Sequence, residues 1–171
     1  MHVVLVEPQI APNTGSIIRL CANTGATLHL VEPLGFDFDD ARLRRGGLDY
    51  HEFAEVTIHP DIEAARRALP GRWFVLSASG DRRHSDVGYE ADDVFVFGTE
   101  RTGLSADVLG DARNHATLTI PMRPTSRSIN LANAVSIVVY EAWRQHGFAG
   151  ADRNTPSPLA IEALGDATDP R

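Results

Sequence analysis

Four hydrogen-bonding side chains, Ser126, Ser128, Asn130 and Asn133, crowd the start of an apolar helical pattern. They belong to the run Ile120-Pro121-Met122-Arg123-Pro124-Thr125-Ser126-Arg127-Ser128-Ile129-Asn130-Leu131-Ala132-Asn133-Ala134. One capping side chain satisfies a helix start, so this set exceeds the structural need. Surplus donors and acceptors at a helix N-terminus, beside outward-pointing backbone N–H groups, make a cradle for a polar ligand. Their chemistry is binding and orientation, since hydroxyls and amides carry no charge to donate.

Two other loops are rich in polar residues and glycine. Phe97-Gly98-Thr99-Glu100-Arg101-Thr102-Gly103-Leu104-Ser105 ends an apolar run in glycine, carries a carboxylate, and leads through a second glycine toward a helix. Glycines there let a backbone approach a ligand closely or take a positive φ. Their five-residue spacing is not the G-x-G-x-x-G of dinucleotide-binding folds, and an ordinary tight turn explains the loop comparably well. Pro8-Gln9-Ile10-Ala11-Pro12-Asn13-Thr14-Gly15-Ser16-Ile17-Ile18-Arg19 is stiffened by two prolines, and Asn13 or Thr14 can cap the following helix. Arg19 then lies on that helix; an exposed surface arginine is the commoner fate, while its apolar neighbours Ile17, Ile18 and Leu20 leave room for partial shelter.

These loops need a scaffold, and the chain supplies one. Short β-branched runs at Val3–Val6, Thr27–Val31, Trp73–Ser77, Val94–Gly98 and Thr117–Ile120 predict strands. Between them the spacing predicts helices over Gly15–Asn23, Ile62–Leu69 and Ser105–Ala112, a short helical turn over Asp39–Arg45, and a long last helix from Asn130 to about His146. Alternation of this kind, with unbroken apolar strands such as Val94-Phe95-Val96-Phe97, predicts an α/β fold: a parallel sheet with helices on both faces. Such sheets bind ligands at the carboxyl ends of their strands, where all three loops lie. In the last helix Leu131, Ala134, Val135, Val138, Val139 and Ala142 form one apolar stripe, and Tyr140 and Trp143 widen it toward a possible subunit contact. Residues 148–171 hold three prolines and no sustained apolar period, which reads as a flexible tail, with a short helix at most over Pro158–Leu164.

Composition narrows the chemistry. The 171 residues fit one domain. All 16 basic residues are arginine, so lysine cannot serve as phosphate-loop cation, Schiff base or general base. The single cysteine, Cys21, rules out an internal disulfide framework and fits a cytoplasmic location. No run approaches the ~20 apolar residues of a membrane span, and the N-terminus lacks the basic flank of a signal peptide. Neither H-E-x-x-H nor a Cys/His cluster offers a metal site. The net charge of −7 argues against passive adhesion to nucleic acid. The arginines nonetheless cluster, as Arg42, Arg44 and Arg45, as Arg82 and Arg83, and as Arg123 and Arg127, so two copies could pool a basic face.

Taken in order, N-x-G-x-I-x-R (Asn13 to Arg19), G-x-E-x-x-G-L (Gly98 to Leu104) and S-x-N-L-x-N-A-V (Ser128 to Val135) resemble the three motifs of the SPOUT methyltransferases. The resemblance spans about residues 1–147. It is closest to the tRNA ribose 2′-O-methyltransferase branch and, within it, to the TrmL-like group, through stretches such as Ile18-Arg19-Leu20-Cys21-Ala22-Asn23-Thr24-Gly25 and Arg44-Arg45-Gly46-Gly47-Leu48-Asp49-Tyr50-His51. The resemblance implies a SPOUT domain over 1–147 with a C-terminal deep trefoil knot. It implies S-adenosyl-L-methionine (AdoMet) as methyl donor without a metal, in a pocket of Leu76, Gly98, Ile120 and Ser128 with Glu100 and Asn130 nearby. It also implies Arg19 and Asn13 as the catalytic pair, a homodimer packed through the last helix, and a tRNA anticodon stem-loop as partner. Arg42, Arg44, Arg45 and Tyr50 are the expected RNA contacts. The implied reaction is 2′-O-methylation of the wobble nucleotide, a cytidine or modified uridine at position 34, in leucine tRNAs. Another tRNA or rRNA position, or a catalytically silent RNA-binding knot protein, remain the alternatives.

Overall fold

The computed structural model describes residues 1–37, 56–126 and 128–151. The expected helical turn over Asp39–Arg45, the short helix over Pro158–Leu164 and the RNA contacts Arg42, Arg44, Arg45 and Tyr50 lie outside the described residues.

Seven strands form one sheet: β1 (His2–Val6), β2 (Thr27–Val31), β3 (Val56–His59), β4 (Trp73–Leu76), β5 (Arg82–Arg83), β6 (Val94–Phe97) and β7 (Ala116–Thr119). Their order is β3-β2-β1-β6-β4-β7-β5, and every pairing is parallel. Among the described residues four α-helices accompany them: α1 (Ala11–Thr24), α2 (Ile62–Ala68), α3 (Ala106–Leu109) and α4 (Leu131–Gln145).

The central strands are apolar on both faces because both faces are covered. In β6, Phe95 and Phe97 join Ile17, Ile18 and Cys21 of α1 and Val135, Val138 and Val139 of α4 in the larger core. Val94 and Val96 turn the other way, toward Ala65 of α2 and Leu104, Val108 and Leu109 around α3. The apolar stripe on the last helix is therefore core, with Leu131, Val135, Val138, Val139 and Ala142 buried. Trp143 braces the chain beyond it. Its indole N–H donates to the Ala149 carbonyl at 2.9 Å, and its ring meets Tyr140 and Phe148 edge-on.

Where the elements differ from expectation, local chemistry explains why. Helix α1 begins at Ala11 and not Gly15, because Pro12 suits a first turn, where its missing N–H costs nothing. Helix α3 stops at Leu109 and not Ala112, where Gly110 closes it and a turn follows. Strand β3 is short and half-exposed. Strand β5 is two exposed arginines, held only by its register with Leu118 and Thr119 of β7. Neither has the apolar period that marks a strand in sequence.

On the α2 face, three strands contribute a hydrogen-bonded polar row: His2, Thr27, His29 and His59. His2 Nδ1 lies 2.7 Å from Thr27 Oγ1, which lies 3.1 Å from His29 Nε2, and His29 Nδ1 lies 3.0 Å from His59 Nε2. Burial, then the neighbouring His2 and His59, pushes His29 down from its ordinary 6.5 to about 4. The fold thus prefers neutral His29. Its contribution to stability is complete above about pH 6.5 and is lost as pH falls toward 4. Glu141, held at about 2 first by Arg144 and then by Gln145, titrates below that window. Chemical denaturation is expected to show a loss of about 2 kcal/mol between pH 7 and pH 5. His29→Gln should flatten that slope, and a profile already flat in the unmodified protein would contradict the assignment.

Candidate active site

Glu100 is the meeting point of the three polar loops. It sits in the turn after β6, where Thr99 and Gly103 pair across a tight hairpin through bonds of 3.2 and 3.0 Å. The two glycines of this turn do different work. Gly103 takes φ +70°, the left-handed region that glycine enters freely. A Cβ on Gly98 would lie 2.1 Å from the Gly103 carbonyl carbon and 2.3 Å from the Leu104 nitrogen. Close approach at Gly98 therefore serves the returning limb of its own loop.

The Glu100 carboxylate accepts from the backbone N–H of Gln9 at 2.9 Å, from that of Ile10 at 3.1 Å, and from Asn13 Nδ2 at 3.1 Å. Asn130 Nδ2 in turn donates to Asn13 Oδ1 at 3.0 Å, and Asn130 Oδ1 accepts from the Asn133 N–H at 3.3 Å. The direction of this chain is forced from both ends. An ionised carboxylate only accepts and a backbone N–H only donates, so each asparagine has one possible orientation between them. The result is a polar relay from the β6 loop, through the start of α1, to the start of α4.

Asn13 is thus not the N-cap of α1. The N-cap position is Ile10, without a side-chain cap, and Glu100 satisfies the amides just ahead of the helix from across the sheet. Asn13 is buried within the first turn, beside fully buried Thr14, whose hydroxyl has no hydrogen-bond partner among the described residues. Asn130, where the spacing predicts the last helix to begin, caps α4.

Beside the relay lies a cavity of about 460 Å³. Leu76, Gly98, Glu100, Ile120 and Ser128, all expected site residues, line it. Asn130 does not line it but is bound to Asn13 at its edge. Sequence reasoning missed Ser77, Ala78 and Ser79, the turn after β4, which form another wall; a short polar run after a strand was the available signal. Met122, Ile129, Leu131 and Ala134 complete the side toward α4. Walls of this mixed character, around a volume in the usual range of small-molecule sites, suit a ligand with apolar and polar ends.

Arg19 stands apart. It is exposed on α1, the commoner of the two fates its sequence allows, while Ile17 and Ile18 are buried. Six residues separate it from Asn13, about 240° around the helix, so the two face different ways. Within one chain the fold unites Asn13, Glu100 and Asn130 with the cavity, and Arg19 does not line it.

The model for the SpoU rRNA methylase family matches residues 1–140. The chain belongs to the SpoU rRNA methylase family. Within that family it is similar to a tRNA (cytidine(34)-2′-O)-methyltransferase from Burkholderia ambifaria, 54% identical over 152 residues that cover 87% of this chain and 97% of that one. A solved structure described as giving structural insights into the 2-OH methylation of C/U34 on tRNA is 40% identical, with a TM-score of 0.80, over 85% of this chain and 95% of that one. The SpoU methyltransferase AviRb from Streptomyces viridochromogenes, solved in complex with the cofactor AdoMet, is 27% identical with a TM-score of 0.72, covering 88% of this chain and 59% of that one. The chain is accordingly a methyltransferase, as its three motifs imply, and its parallel sheet is the SpoU fold.

Proposed function

We propose that this methyltransferase transfers a methyl group from AdoMet to the ribose 2′-hydroxyl of the wobble nucleotide, position 34, in leucine tRNAs. The observation that carries the reading is the Glu100–Asn13–Asn130 relay, which binds all three motif loops together at the edge of one cavity. The similarity to the Burkholderia ambifaria enzyme supports nucleotide 34 of tRNA as the target.

The cavity fits AdoMet by the chemistry of its lining. Leu76, Ile120, Met122 and Leu131 offer apolar walls for an adenine ring, and Ser77, Ser79 and Ser128 offer hydroxyls for its ribose and amino-acid ends. Bound there, AdoMet supplies an already electrophilic methyl group. The protein's task is to present the ribose oxygen in line and to steady the charge that develops on it. Asn13 and Asn130, fixed in one orientation by the relay, hold the cavity edge in register. Arg19 positions the ribose oxygen and an adjacent phosphate and steadies them electrostatically through its guanidinium donors. Arg42, Arg44, Arg45 and Tyr50 contact the anticodon arm. The SPOUT knot is formed by the segment leading into α4.

A homodimer fits this scheme, since a single chain leaves Arg19 away from the cavity and exposes Ile137 and Tyr140 on α4 and Phe148 beyond it. Among the described residues no helix is long and apolar enough to cross a membrane, and a cytoplasmic site of action accords with a tRNA substrate.

The test is methyl transfer from labelled AdoMet to leucine tRNA drawn from cells lacking their own wobble methylase. The unmodified protein should label it, and Arg19→Ala should lower the rate about 10²–10³-fold with an unchanged melting temperature, the scale seen when a charge-stabilising donor is removed. Label in rRNA or at another tRNA position would move the substrate; label in no RNA would overturn the reading.

A further inference from the structure

Eight of the arginines of this lysine-free chain fall into two sets of four. Arg66, Arg72, Arg113 and Arg144 are paired structurally. Arg66 lies against Asp111 and over the Trp73 ring, Arg72 grips Asp93 at 2.7 Å, Arg113 bridges Glu63 and Asp111, and Arg144 holds Glu141. Arg82, Arg83, Arg101 and Arg123 are exposed, and their side chains make no hydrogen bond or ion pair among the described residues. All four stand at or just beyond the carboxyl ends of the strands β6 and β7 that border the cavity. Arg101 lines the cavity itself, and Arg123 directly follows the lining residue Met122. Arg82 and Arg83 follow the Ser77–Ser79 wall, and their pairing with Leu118 and Thr119 sets them level with the end of β7, where the chain turns toward Ile120. The Glu100 carboxylate at this opening is already held by three donors, and exposed Asp81 forms no ion pair among the described residues.

Unpaired guanidinium groups around a cavity mouth, on a protein of net charge −7, form a local positive rim that bulk charge conceals. Guanidinium forks match phosphate oxygens in a bidentate geometry that water alone does not satisfy as well. We propose that Arg82, Arg83, Arg101 and Arg123 hold the phosphate backbone of the RNA on either side of the nucleotide whose ribose enters the cavity. This rests on the RNA-methylating reading above, and adds a second, cavity-side binding surface to the one that meets the anticodon arm. Phosphate binding of this kind positions the strand without reading its sequence. It therefore sets how the ribose is offered to the cavity, whatever the tRNA.

Equilibrium binding of leucine tRNA across a series of potassium chloride concentrations tests the rim. The Arg82→Gln/Arg83→Gln double variant should raise the tRNA Kd about tenfold or more at roughly 150 mM salt, and should flatten the log–log salt slope by about 0.7 for each phosphate that is no longer neutralised. Arg123→Gln gives an independent single-site reading of the same effect. AdoMet affinity, measured by calorimetry, should stay unchanged in these variants, and Arg67→Gln, on the exposed side of α2, should leave both quantities alone. Unchanged tRNA affinity and salt slope in the Arg82/Arg83 and Arg123 variants would overturn the proposal while leaving the methyltransferase reading intact. Weakened AdoMet binding with an unaltered slope in Arg101→Gln would remove that residue from the rim. A native protein that neither binds nor methylates tRNA would overturn the underlying reading itself.

Discussion

Glu100→Ala is expected to lower kcat/KM at least 10²-fold and to cost about 2 kcal/mol of stability. The substitution removes the acceptor shared by two backbone amides and the Asn13 side chain. Hydrogen bonds to a charged group contribute roughly 1.5–3 kcal/mol each, and the outer two are discounted here because they face solvent. The larger effect falls on geometry. Without the carboxylate, Asn13 Nδ2 loses its acceptor and the side chain is held from the Asn130 end alone, so it can shift, and a misplacement near 1 Å at a reacting centre costs about 10² in rate. Glu100→Gln should be nearly as damaging, since its amide N–H would face donors. Because the effect travels through the relay, Glu100→Ala and Asn130→Ala should be non-additive, with a coupling of roughly 0.5–3 kcal/mol in a double-mutant cycle read by denaturation and by kcat. Simple additivity of the two would show that the relay does not act as a unit.

Gly98→Ala should be more destructive still. A methyl group there would occupy the space of the Gly103 carbonyl and the Leu104 nitrogen, all backbone atoms that cannot rotate away. The hairpin from Thr99 to Gly103 must open, which displaces Glu100 from the amides it satisfies and one wall from the cavity. Overpacking of this severity costs typically 1–3 kcal/mol or more, and AdoMet binding should be lost outright. Gly103→Ala meets no atom within 4 Å and suffers only from its φ of +70°, so it should cost about 1 kcal/mol and retain binding. Calorimetric titration of both variants with AdoMet separates the two roles. Equal losses would mean that the glycines share one function.

The sheet was legible because its inner strands are buried twice. Val94-Phe95-Val96-Phe97 admits no alternation, and that unbroken run is the mark of a strand covered on both faces. Strands β3 and β5 were not legible, since Val56–His59 is a half-exposed edge and Arg82–Arg83 is a strand only by courtesy of β7. Of the polar surplus before α4, Ser128 lines the cavity and Asn130 caps the helix and holds Asn13, while Gly98 and Glu100 of the second loop line the cavity as well. What no spacing rule could give is the relay. Asn13, Glu100 and Asn130 are about 90 and 120 residues apart in pairs, and only the sheet order brings β1 beside β6 and α1 beside α4. Asn13 illustrates the difference most sharply. In sequence it looks like a cap; in the fold, a carboxylate from another loop meets the amides ahead of the helix and frees the asparagine for the site.

The most direct measurement is nucleoside mass spectrometry of leucine tRNA, combined with fragment mapping, after incubation with the protein and AdoMet. A single new product is expected, a 2′-O-methylated nucleoside at position 34, absent when AdoMet is withheld and absent with Arg19→Ala. A methyl group on a base, or a ribose methylated only at other positions, would contradict it.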